Sequence, residues 1–169
     1  FHIEEVLARV PAESVPCSLI LTLHDDNVGA LPQSEGKQFA QLIPDLVRAG
    51  WAGFSTRYWL ISDHDPALAY VAKASWKPDI GRREVYRDQV LHVCGHGAPK
   101  HLVPAFDLLE QATELLEMNE LGVCFPVPGM VMKHWRTDAT SETLRNVRRL
   151  YREAQEAVAG AYHSAERGT

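Results

Sequence analysis

The feature that most constrains this chain is the run Cys17-Ser18-Leu19-Ile20-Leu21-Thr22-Leu23, which breaks off abruptly at His24-Asp25-Asp26-Asn27. A short, nearly continuous apolar run with a polar stop predicts a strand covered on both faces, the pattern of a parallel sheet. A polar loop with Gly29, Pro32 and Ser34 follows. Glu35 to Ala49 then reads as a helix with Phe39, Leu42, Ile43, Leu46 and Val47 on one side. Pro44 should kink that helix or start it afresh, and Gly50 should close it. Trp51 to Ile61 is the next predicted strand. Strand, helix, strand is a βα repeat, and the crossover rule makes the two strands parallel.

Two parallel strands do not make a stable sheet by themselves, so neighbours are expected from elsewhere. The first helical pattern, Ile3, Val6, Leu7 and Val10, also starts without a capping residue. Both points lead to the expectation of a piece of a larger α/β enzyme. Its fold class is a partial (β/α) barrel, contributing the last βα units with parallel strands, followed by a mostly α-helical C-terminal region. The expected boundary lies between 1–64 and 65–169.

Beyond residue 64 the periodicity is helical. Asp65-Pro66 reads as an N-cap followed by Pro at the first helical position, with helix to Trp76. Arg82 to Cys94, Pro99 to Asn119 and Ser141 to about Ala165 follow, with a Pro-rich loop from Phe125 to Gly129 and a short apolar stretch from Met130 to Trp135. Arg145, Arg148, Arg149 and Arg152 are interleaved with Glu142, Glu153 and Glu156, the signature of a solvated helix face. The net charge of −5 argues against nucleic acid as a partner. No apolar run reaches the roughly twenty residues of a membrane span. Cys17, Cys94 and Cys124 are far apart with no CxxC spacing, which fits free thiols and a cytoplasmic location.

Candidate chemistry gathers at the two strand ends. In parallel architectures ligands bind where the strands' carboxyl ends meet the following loops. His24, Asp25, Asp26 and Asn27 stand at the first end. Arg57, Tyr58 and Trp59, then Asp63 and His64, stand at the second. Carboxylates there suit acid/base work, Arg57 can grip a carboxylate through two hydrogen bonds, and aromatic faces stack on sugar rings. The competing readings are structural: Asp25 or Asp26 as turn residues, Trp59 as core filling, and Asp65 as a helix cap. His24, Asp25, Asp26 and His64 form an alternative set of oxygen and nitrogen donors for a metal-dependent hydrolase. Phosphate loop, GxSxG elbow and HExxH motif are absent from the sequence.

The succession Arg57-Tyr58-Trp59, a helix started by Asp65-Pro66 and ending in Ala-Ser-Trp-Lys-Pro-Asp, the Val85-Tyr86-Arg87-Asp88-Gln89-Val90 helix, and Cys94-Gly95 before a long helix is similar in layout to the C-terminal part of (β/α)8-barrel glycoside hydrolases, of the α-glucuronidase-like and hexosaminidase-like kinds. The resemblance implies hydrolysis by two carboxylates flanking a glycosidic bond. Asp25 and Asp26 are then the catalytic candidates, with a further carboxylate expected upstream of Phe1. His24, Asn27, Arg57, Tyr58, Trp59, Asp63 and His64 become substrate-binding candidates. The expected partners are a carbohydrate substrate and either an upstream part of the same protein or a second copy meeting unpaired strands. No cofactor is expected. A non-catalytic helical interaction module is the remaining alternative.

Overall fold

The computed structural model describes residues 7, 9–12, 14–21, 32–56, 65–119 and 138–164. Its elements run β1 (Ser18–Leu21), α1 (Gly36–Arg48), β2 (Gly53–Thr56), α2 (Asp65–Ala74), α3 (Arg82–Cys94), α4 (Pro99–Met118) and α5 (Asp138–Ser164). The strands pair in parallel and in register, Ser18 with Gly53 through to Leu21 with Thr56.

This is not a partial barrel. Helix dominates, and the described residues hold one sheet of two strands. β1 departs from the pattern of a strand covered on both faces. Its side chains alternate, with Leu21 buried and Leu19 half-buried, while Ser18 is exposed and Ile20 is 70% exposed. Only one face of the pair meets the core. Sequence hydrophobicity cannot distinguish a sandwiched strand from one whose outer Ile20 faces solvent. The expectation of a helical C-terminal region holds in part, through α2 to α5.

α1 packs on the sheet because Phe39, Leu42, Ile43 and Leu46 recur at helical spacing and are all buried. Each such burial stabilises the fold by roughly 1.5–3 kcal/mol. Val47, expected on the same side, is exposed. Pro44 sits inside a continuous helix rather than restarting it. At the other end Gly50 adopts φ 74°, the left-handed turn that lets the Trp51 N–H reach the Leu46 carbonyl at 3.0 Å.

A first apolar core joins Leu7, Leu21 and α1 to Tyr70, Val71, Val85, Tyr86 and Val103. A second, smaller core is made by Ala112 and Leu116 of α4 with Val147 and Leu150 of α5. α4 therefore takes part in both, with Val103 and Phe106 in or against the first and Ala112 and Leu116 in the second. α5 lies antiparallel on α4, so that Ser164 reaches back to His101, Oγ to Nε2 3.3 Å. Gly160 and Gly97 permit this approach: a Cβ on Gly160 would fall 2.9 Å from His101 Nδ1, and one on Gly97 would strike the Ser164 backbone. The arginines of α5 are exposed, and Arg149 pairs with Glu153 at 2.6 Å, as the interleaved charges predicted. Cys17 and Cys94 are free and half-buried.

Candidate functional site

β1 and β2 run parallel and in register, with Leu21 the partner of Thr56. The segment with His24, Asp25, Asp26 and Asn27 continues the chain from the first strand, and Arg57, Tyr58 and Trp59 follow directly on the second. All nine predicted site residues, Asp63 and His64 included, lie outside the described residues. Cys124 and the Met130 to Trp135 stretch lie outside them too. Among the described residues no group of three His, Cys, Asp or Glu side chains could hold a metal ion. No helix among them is long and apolar enough to cross a membrane.

The most developed polar constellation in the described part was not singled out from the sequence. It forms where the start of α1 meets α3 and α4. Glu110 of α4 is only 1% exposed. Its Oε1 accepts a 2.7 Å hydrogen bond from the Tyr86 hydroxyl, and its Oε2 pairs with the Arg82 guanidinium. Arg82 also reaches Asp107 Oδ1 at 3.0 Å, and Arg83 reaches Asp107 Oδ2 at 3.2 Å. The Arg82 guanidinium stands 5.5 Å from the centre of the Tyr86 ring, and Phe106 meets the same ring edge-on at 5.4 Å. Burial pushes the Tyr86 hydroxyl up to about 12, although the Arg82 charge and a hydrogen bond with Ser34 pull it down. Burial likewise raises Tyr70, against the same Arg82 charge.

The approach of α1 is very close here. A Cβ on Gly36 would lie 2.5 Å from Glu110 Oε1 and within the Tyr86 hydroxyl. The surrounding contacts continue the polar pattern. The Ser34 N–H donates to Thr113 Oγ1 at 2.9 Å, and that hydroxyl donates to the Leu109 carbonyl. Lys37 Nζ meets Glu114 Oε2 at 2.6 Å, and Gln38 Nε2 meets Glu117 Oε2 at 3.2 Å. Tyr151 of α5 donates to the Pro32 carbonyl at 2.7 Å. The sequence did carry a signal for this constellation. Glu110 and Thr113 occupy the apolar stripe of α4 with Val103 and Leu116, where a carboxylate has to find a partner.

With Gly36 packed against it, the Glu110 carboxylate has no room for a substrate. Its chemistry is that of a paired buried ion holding three elements together. An open groove of about 680 Å³ lies on the outer side of α3 and α4, lined by Arg87, Leu91, His96, Lys100, Val103 and Pro104 among others. Pro104 lacks an N–H, so the Lys100 carbonyl has no helical donor there. The groove's charges are mixed: Arg83 is turned to Asp107, and Asp88 is paired with Lys73 at 3.5 Å. No set of groups converges in it.

No protein-family model, curated protein or solved structure matches this chain.

Proposed function

We propose that the chain contributes to glycoside hydrolysis, with Asp25 and Asp26 as its carboxylates and a carbohydrate as the substrate. The observation that supports this reading most is the parallel, in-register pairing of β1 and β2, each followed in sequence by one of the candidate segments. In sequence, two segments rich in carboxylate, imidazole, guanidinium and indole groups follow the two paired strands. In parallel α/β folds the carboxyl ends of the strands are the usual location of a ligand site.

Sugars present hydroxyls on their rim and C–H groups on their faces. His24, Asn27, Arg57, Asp63 and His64 supply hydrogen-bonding partners for the rim, and Tyr58 and Trp59 supply stacking surfaces for the faces. In the hydrolytic step one carboxylic acid protonates the departing glycosidic oxygen. A second carboxylate activates water or attacks the anomeric carbon. Neighbouring carboxylates repel, which raises the proton affinity of one and separates the two roles.

Hydrolysis of a panel of aryl glycosides, compared with the Asp25→Asn and Asp26→Asn variants, tests the reading. At least one variant should lose roughly 100-fold or more in kcat/KM, the scale of general acid/base catalysis. Equal rates in the parent protein and both variants would end the assignment.

A further inference from the structure

Gln33, Ser34, Glu35, Glu110 and Thr113 are the buried polar residues among the described ones, and all are in one place. They lie where the segment leading into α1 meets α4. The two apolar cores share no residue, and this polar layer stands between them. Polar contacts tie the segment Pro32–Gln38 across it, among them Tyr151 to the Pro32 carbonyl, the Ser34 N–H to Thr113, Ser34 to the Tyr86 hydroxyl, Lys37 to Glu114, and Gln38 to Glu117. Immediately after it, Phe39, Leu42, Ile43 and Leu46 are anchored in the first core.

The two parts of this stretch differ in what opening costs them. Lifting Phe39 to Leu46 exposes hydrocarbon to water with nothing in return. Lifting Pro32–Gln38 exchanges each polar contact for one with water, and the buried carboxylates regain their hydration. Local opening follows such differences rather than element boundaries. We propose that Pro32–Gln38 is a releasable clasp, which undocks from α4, α5 and the Tyr86 hydroxyl of α3 as a unit while the apolar part of α1 stays packed. In the open state the stripe Glu110, Thr113, Glu114 and Glu117 faces solvent. The clasp also terminates the chain segment that starts at the end of β1. Its release is a conformational device that stands independently of any glycosidase activity.

Amide hydrogen exchange on the full chain tests this at two reporters. The Ser34 N–H is bonded within the clasp, and the Ile43 N–H belongs to the buried part of α1. Ser34 should exchange at least tenfold faster than Ile43. Tyr151→Phe and Lys37→Met each remove a tie that does not touch Ser34. Both should speed Ser34 exchange a further several-fold and leave Ile43 within twofold. Equal exchange of the two amides in the parent protein, or a Ser34 rate unmoved by both variants, would overturn the clasp. So would a joint rise of both amides in the variants.

Discussion

Gly36 is held to its identity by space rather than by backbone geometry. A methyl group there would collide with the Tyr86 hydroxyl and press on Glu110. Gly36→Ala usually favours a helix, by about 1 kcal/mol. Here it should destabilise by about 1–3 kcal/mol, the cost of overpacking, seen as a lower urea midpoint at unchanged slope. Tyr86 makes the same cluster sensitive to alkali. Its folded-state value of about 12 lies above the ordinary 10.0 of a tyrosine. The stabilisation is therefore complete below pH 10 and is lost as pH rises towards 12. Two units correspond to about 3 kcal/mol. Denaturation at pH 9 and pH 11.5 should show about 2 kcal/mol of that loss, and Tyr86→Phe should be flatter over the same window.

At the level of elements, the one-sided sheet separates neighbouring residues sharply. Leu21→Ala removes a buried side chain and should cost about 2–5 kcal/mol. Ile20→Ala removes one that is 70% exposed and should change stability by no more than about 0.5 kcal/mol. A sandwiched strand would make the two losses alike, so paired urea titrations measure the difference directly. Much at this scale was legible in the sequence. α3 spans Arg82–Cys94 and α4 starts at Pro99, both as the periodicity and the Gly95 and Pro99 signals predict. α5 is already helical at Asp138, ahead of the Ser141 that the sequence suggested as its cap. Pro44 does not restart the helix, since packing of Ile43 and Leu46 on either side of it outweighs one missing helical hydrogen bond.

For the whole molecule the legible part shrinks, because the decisive contacts are remote. Ser34 and Thr113 are 79 residues apart, and Tyr151 reaches Pro32 across 119. No local period encodes such pairings. The same holds for the neighbours that β1 does or does not have, which is where the barrel expectation failed. Of the candidate site, the residue types and the two strands ahead of them were legible in the sequence, and the structure adds the parallel register of those strands. Mutual arrangement of Asp25, Asp26 and Arg57 is a matter of tertiary geometry that residue types do not carry. The division into two apolar cores is also tertiary, and it has a measurable signature. Leu42→Ala in the first and Leu150→Ala in the second touch no common neighbour. Their stability losses should add to within about 0.5 kcal/mol in the double variant. A larger coupling would mean that the polar layer passes strain from one to the other.

Among the described residues, α4 is the one helix embedded in both of those cores, its early turns in one and its later turns in the other. It works as a girder set into two separate foundations. Severing the chain between Phe106 and Ala112 would strip each foundation of the beam that roofs it, so neither half can be produced alone with its oily interior sealed.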